Sequence, residues 1–378
     1  LFGYKKYLKQ FGEALKNRYN RNVLLVGKSG VGKSTLVYEW VYQNRKKIDF
    51  PKVWRTTAAT LIKELTNDMG WQENLSMLCK ELMERGDILY VRNFLEMFEV
   101  GQYEGNSVSM AEYLRDYVAR GEISLVTECS DEEFALIEAR SPNYLNYFQI
   151  IRVEEPVGDE MESIVLQKVL ALSGLKPGVI EAEAIRETIR LNQRYTPYSG
   201  FPGKPIRFLD SILVNADAQL KVAGKWSQID RSTVIKAFCE ETGMPVFMVD
   251  PDVPMNVPSL RSFFLSNVFG QDHAIFILSD VLVSVKAALM RPGKPIASML
   301  FAGLTGVGKT EMAKVLATFM FGSRERMIRF DMSEYATPYA VARLTGESYF
   351  LDGILTSAVR REPFCVLLFD ELEKAHPL

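Results

Sequence analysis

The pattern G-x-x-x-x-G-K-[ST] occurs twice in the chain, and few short motifs constrain a fold as tightly. The first copy is Gly27-Lys28-Ser29-Gly30-Val31-Gly32-Lys33-Ser34, and the second is Gly303-Leu304-Thr305-Gly306-Val307-Gly308-Lys309-Thr310. In each, an apolar run comes before the first glycine and a helix-like stretch follows the lysine, so each loop reads as the joint between a buried strand and a helix. The glycines let backbone N–H groups close around phosphate oxygens, at a helix N-terminus where partial positive charge gathers. Lys33 and Lys309 would reach the terminal phosphates, while Ser34 and Thr310 would hold magnesium. Thr35 and Glu311, next along each helix, complete the two nucleotide-binding segments. Two matches in the required context leave accidental turns a poor explanation.

At 378 residues the chain is long enough for two or more domains. Val23–Val26 reads as a buried strand, Ser34–Gln43 as a helix, and Ile88–Val91, Ile123–Val126 and Ile150–Val153 as further strands. Strands alternating with helices predict an α/β fold, a parallel sheet with flanking helices. From 157 to 222 the pattern becomes helical, over Asp159–Leu172, Glu181–Asn192 and Lys204–Gln219, as in a small helical lid. Turn-prone residues at 223–228 and the proline-studded stretch Pro245–Pro258 predict a connection. The opening pattern then repeats: helix Asp272–Met290, strand Ser298–Phe301, glycine-rich turn, helix Thr310–Phe319, and strands Met327–Phe330 and Cys365–Phe369. The expected organisation is a first large subdomain over 1–156, a lid over 157–222, a linker over 223–267 and a second, incomplete large subdomain over 268–378. These make two tandem P-loop modules. The chain opens on Leu1 and stops at Leu378, just past a motif that belongs in mid-domain, which reads as part of a longer protein.

A carboxylate should close the second half of each site, at the end of a neighbouring apolar strand. Val366-Leu367-Leu368-Phe369 leads into Asp370-Glu371. Asp370 would order the magnesium shell and Glu371 would orient or deprotonate the attacking water, with Lys309 completing the catalytic set. The equivalent strand of the first module ends in Arg92-Asn93. A guanidinium cannot bind magnesium and an amide cannot act as a base. The competing strand, Ile123–Glu128, offers a threonine at the aspartate position. The first module is therefore expected to bind nucleotide without hydrolysing it. Arg92 would either replace part of magnesium's charge or bar the site, and a magnesium-poor bound nucleotide is the favoured expectation.

Composition narrows the setting. A formal net charge of -2 gives no field that favours nucleic acid or an anionic membrane. The basic run Asn44-Arg45-Lys46-Lys47 reads as a solvated helix end. The four cysteines, Cys79, Cys129, Cys239 and Cys365, form no C-x-x-C pair, which argues against a disulfide framework or a zinc knuckle and fits a reducing, cytoplasmic setting. The two histidines, His273 and His376, are too few for a histidine metal cluster, and no apolar run is long enough to span a bilayer.

With these motifs in place, the sequence resembles the Clp family of heat-shock unfoldases, AAA+ proteins with two ATPase modules per chain. Val268-Phe269-Gly270-Gln271-Asp272 is similar to the family's adenine-side box, which brings Phe269 and Gly270 to the nucleotide. Phe301–Glu311, Ile328–Tyr335 and Leu368–Pro377 are close to family signatures. The first half matches more loosely: Leu1-Phe2-Gly3 resembles the opening box, Thr127 lies near the sensor-1 position, and Val153-Glu154-Glu155-Pro156 resembles a module boundary. The resemblance implies hexameric rings, ATP and magnesium as cofactors, a polypeptide substrate, and a protease or adaptor as a candidate partner.

Departures from the family are informative. Its arginine fingers precede a Phe-Gln in the first module, where this chain reads Leu145-Asn146-Tyr147-Phe148-Gln149. The second module's pore loop, Gly346–Gly353, is several residues short; Tyr349 and Phe350 are its candidates for gripping substrate, with Trp71 as a weaker one in the first module. No long coiled-coil insertion separates the modules. The leading expectation is ATP-dependent protein remodelling, with a non-hydrolytic first module and a motor in the second. The alternative is an ATP-controlled scaffold or switch that threads nothing.

Overall fold

A computed structural model of the chain describes residues 3–17, 20–48, 50–66, 70–102, 106–173, 180–196, 200–223, 228–287, 295–346 and 353–377. Contacts divide it into two compact units, Leu1–Pro177 with Thr196–Trp226, and Gly178–Tyr195 with Ser227–Leu378.

The first unit is built on five parallel strands: β1 (Val23–Val26), β2 (Val53–Thr57), β3 (Ile88–Arg92), β4 (Ser124–Cys129) and β5 (Gln149–Arg152). Their spatial order is β2-β3-β4-β1-β5. The run Val23-Leu24-Leu25-Val26 is wholly buried because β1 lies between β4 and β5 with helices on both faces. Side-chain alternation sends Leu24 and Val26 into one core with Leu89, Val91 and Leu125, and Val23 and Leu25 into the other with Tyr90 and Val126. Asn22, also buried, aligns the sheet end: its amide donates to the carbonyls of Val118 (3.1 Å) and Tyr147 (3.3 Å) and accepts from Leu125 N (2.9 Å). The helices Met110–Ala119 and Asp131–Arg140 start on capping boxes, Ser109 with Glu112 and Ser130 with Glu133. Trp71 is buried edge-on against Tyr113, the packing role rather than the pore role. Residues Leu1 and Phe2 of the opening box lie outside the described residues.

The helices Gly158–Ser173 and Gly203–Ala223 belong to the first unit, whereas Ala182–Tyr195 packs in the second with Arg231–Thr242. Three helices lie within the stretch read as a connection. Asp230 caps Arg231–Thr242 by accepting from Thr233 N (2.8 Å), Val246–Val249 follows, and Asn256 caps Val257–Asn267 by accepting from Ser259 N (3.0 Å). Arg231 ties these pieces together, with Asp250 at 2.6 Å and the buried Glu187 at 3.6 Å, while Arg190 covers the rest of the Glu187 carboxylate.

The second unit contains two parallel strands among its described residues, β6 (Met327–Asp331) and β7 (Val366–Asp370). The expected strand Ser298–Phe301 is not formed; its backbone is irregular and Leu300 is exposed. The reason is topological. In the first unit the strand before the loop is held by β4 and β5, whereas β6 and β7 correspond to β2 and β3, which do not border it. The same lack of neighbours leaves β7 half-buried where β3 is buried along most of its length.

Candidate functional site

Both phosphate loops adopt one conformation. Gly27, Gly30 and Gly32 have φ of 152°, 93° and 107°, and Gly303, Gly306 and Gly308 have 158°, 85° and 97°. Side chains other than glycine adopt these values only at a cost, which is why the motif demands glycine there. Each loop runs into a helix, Lys33–Asn44 or Lys309–Phe321, whose first N–H groups face the cradle. Lys33 folds back on the carbonyls of Gly27 and Lys28, and Lys309 on those of Gly303 and Leu304 at 2.8 Å each. The two ammonium groups are thus held over their own loops. Burial lowers the Lys33 pKa, an effect partly offset by the nearby Glu128 carboxylate.

A second equivalence ties each loop to the element before it. Gln271 donates from Nε2 to the Val307 carbonyl at 3.0 Å, and Tyr4 donates from its hydroxyl to the Val31 carbonyl at 2.7 Å. Each donor directly follows a Phe-Gly pair, and each acceptor is the valine of G-V-G-K. The segment Val268–Asp272 is thereby joined to the loop, with Val268 buried and Phe269 and Gly270 exposed beside it. Tyr4 was not among the residues that sequence reasoning singled out; its offset from Phe2-Gly3 is the signal that matches it to Gln271.

The strand ends differ. Asp370 ends β7 and forms an ion pair with Arg329 of β6 at 2.8 Å. Glu371 then turns into the left-handed region (φ 54°, ψ 43°), its N–H on Asp370 Oδ1 (3.1 Å) and its carboxylate on Lys374 (2.7 Å). In the first unit Arg92 ends β3, and Asn93 takes the same turn at φ 60°. Thr127 donates to the Val91 carbonyl at 2.8 Å, fastening β4 to β3. Its neighbour Glu128, which the sequence reading passed over, is 7 % exposed and accepts from the Ser34 hydroxyl at 2.7 and 3.0 Å. Arg92 reaches the same carboxylate at 3.4 Å.

Three expected residues are engaged elsewhere or uninformative: Glu311 pairs with Arg324 at 3.1 Å, and Thr35 and Thr305 stand exposed. Tyr349 and Phe350 lie outside the described residues. Behind the first loop, the segment leading into the helix Gly203–Ala223 docks by two backbone bonds, Gly200 N to Ser29 O (2.8 Å) and Gly203 N to Gly30 O (3.1 Å). Glu155 reinforces the joint, accepting from Lys28 Nζ (2.9 Å) and Phe201 N (2.8 Å).

Residues 294–377 match the family model for the AAA domain (Cdc48 subfamily). The chain is 28% identical over 437 residues to the ATP-dependent Clp protease ATP-binding subunit ClpE of Lactococcus lactis, covering 100% of this chain and 58% of that protein. It is 26% identical over 501 residues to the chaperone protein ClpB of Aquifex aeolicus, covering 100% of this chain and 49% of that one. Both alignments exceed the chain's 378 residues, so these relatives carry stretches that it lacks. Among solved structures, Saccharomyces cerevisiae Hsp104 in complex with ADP superposes with a TM-score of 0.70 at 26% identity, over 100% of this chain and 66% of that one. A closed-state Hsp104 with ATPγS and casein gives 0.69 at 27%, over 99% and 66%. With its paired phosphate loops and the β2-β3-β4-β1-β5 sheet, the chain is similar to the class I AAA+ proteins of the Clp family.

Proposed function

We propose that this chain is the nucleotide-driven part of a protein-remodelling ATPase, in which the second module hydrolyses ATP and the first holds nucleotide without turning it over. One contrast carries the reading: at the same left-handed turn after a parallel strand, the second unit places Glu371 and the first Asn93. A carboxylate can orient water and take its proton, and an amide cannot.

In the second module, the N–H groups at the start of the helix Lys309–Phe321 and the Lys309 ammonium would bind the phosphates. Thr310 and Asp370 offer a hydroxyl and a carboxylate, hard oxygen donors that suit magnesium, whose remaining ligands are usually phosphates and water. Bound magnesium would neutralise charge developing on the phosphoryl group. Arg329 holds Asp370 by a 2.8 Å ion pair, and Glu371 would set the water. An arginine from a neighbouring subunit would complete the site, so the working form is a ring, a hexamer by resemblance to the Clp family. The substrate is a polypeptide, and a protease or adaptor is a candidate partner. No described helix is long and apolar enough to cross a membrane. The unpaired cysteines fit a reducing compartment such as the cytoplasm.

The test is ATP turnover and substrate unfolding by the intact protein and its Glu371→Gln variant. Turnover should fall by about 10²–10⁴ while nucleotide binding persists. An unchanged rate would reject the assignment. ATP-dependent assembly with no stimulation by polypeptide would favour a scaffold.

A further inference from the structure

We infer that Glu128 is the metal-ordering carboxylate of the first site, the acid having moved from the end of β3 to the end of β4, so that this site takes its nucleotide as the magnesium complex. The inference rests on the reading that the first module binds nucleotide, and it replaces the expectation of a magnesium-poor site.

The position is fixed by the sheet. β4 lies between β3 and β1, in register with Leu25 opposite Glu128 and Val26 opposite Cys129. The backbone is pinned on both sides, by Gly27 N on the Cys129 carbonyl (3.2 Å) and Phe94 N on the Glu128 carbonyl (3.0 Å). A side chain leaving β4 at residue 128 therefore emerges beside the phosphate loop. Both of its oxygens lie within hydrogen-bond distance of the Ser34 hydroxyl, at 2.7 and 3.0 Å.

Ser34 is the loop residue whose oxygen binds magnesium in this motif. A hydroxyl has one proton and two lone pairs. By donating its proton to Glu128, Ser34 keeps its lone pairs available for a cation. One hydroxyl and one carboxylate, completed by phosphate oxygens and water, is a donor set that magnesium accepts.

Charge points the same way. A buried carboxylate facing nucleotide phosphates is repulsive unless a cation lies between them. Arg92 supplies a single nitrogen at 3.4 Å from a side chain that is half exposed, which is a loose contact. Lys33 is committed to the loop carbonyls. A divalent ion would balance the site, with Arg92 free to turn toward solvent or phosphate. With Asn93 at the water-orienting position, the bound nucleotide would be retained rather than cleaved.

The experiment uses the intact protein carrying Lys309→Ala, which silences the second loop. Binding of a fluorescent ADP is titrated with magnesium and with chelator, and manganese replaces magnesium for an EPR spectrum of the bound ion. Affinity should fall on chelation, and Glu128→Gln should weaken the nucleotide-dependent metal affinity by about 10- to 100-fold while leaving metal-free nucleotide binding in place. If Glu128→Gln does not fold, Ser34→Ala, which removes the hydroxyl held by Glu128, should give the same loss. Equal nucleotide affinity with and without metal would overturn the inference and leave nucleotide binding by the first module standing. Unchanged manganese binding in Glu128→Gln would also overturn it. No nucleotide under either condition would overturn the underlying reading and the inference together.

Discussion

Asn93 and Glu371 share a backbone conformation that no other non-glycine residue among the described ones adopts, with φ of 60° and 54°. Each directly follows a parallel strand, β3 or β7. Asparagine tolerates the left-handed region, whereas glutamate does so at a cost. The chain therefore keeps a strained residue where chemistry is expected and a relaxed one where it is not.

That asymmetry predicts opposite effects on stability and turnover. Glu371→Asn should raise the stability of the second unit by about 1 kcal/mol while lowering ATP turnover at least 100-fold. Glu371→Gln should lose the same activity without the gain, since glutamine resists the left-handed turn as glutamate does. Both variants give up the exposed contact with Lys374, a minor loss common to each. Thermal unfolding of the three proteins side by side, with ATPase assays, checks it. Equal midpoints for the two variants would remove strain from the account.

Gly203 approaches the first loop too closely for a side chain. A Cβ there would lie 2.6 Å from the Gly30 carbonyl oxygen and 3.0 Å from Gly30 Cα, both backbone atoms that cannot swing aside. Gly203→Ala should therefore loosen the joint between the loop and the helix Gly203–Ala223, costing about 1–3 kcal/mol. It should also weaken nucleotide binding in the Lys309→Ala background. Denaturant unfolding and nucleotide titration check both, with Gly158→Ala as a comparison: that glycine has φ of 57° but nothing within 4 Å of its Cβ. It should lose stability through backbone strain alone and keep its nucleotide affinity.

Much of this was legible in the sequence wherever the signal is local. Val23–Val26 is bounded as read, and β6 and β7 lie within a residue of expectation, because short apolar runs flanked by turn residues reflect burial directly. β2 escaped notice because Val53-Trp54-Arg55-Thr56-Thr57 is an edge strand with no continuous apolar run. The strand expected over Ser298–Phe301 failed for the converse reason: its pattern is right, but a strand also needs neighbours. Glu128 is the most instructive miss. The strand Ile123–Glu128 was weighed only for the threonine at its aspartate position, and the role of Glu128 itself arises from sheet order, which sets β4 against β1 more than 90 residues away in sequence. The loop glycines were readable from their motif, whereas Gly200 and Gly203 matter only through a contact made across the fold.

Lys33 supplies the last prediction, through its proton. Burial lowers its pKa in the folded, nucleotide-free protein, with Glu128 as a partial counterweight. A lysine with a depressed folded pKa binds fewer protons than the unfolded chain does between that value and the ordinary one. Its contribution to stability therefore rises with pH across that window and is unfavourable below it. Phosphates arriving at the ammonium favour its charged form and push the pKa back up. Nucleotide binding at the first site should then take up protons in the alkaline range and weaken as pH climbs. Isothermal titration of the Lys309→Ala protein in buffers of different ionisation enthalpy measures this directly. The apparent binding enthalpy should vary with the buffer at pH values between the depressed Lys33 pKa and the ordinary lysine value. A buffer-independent enthalpy across the whole range would mean that Lys33 keeps its proton in the empty site despite its burial.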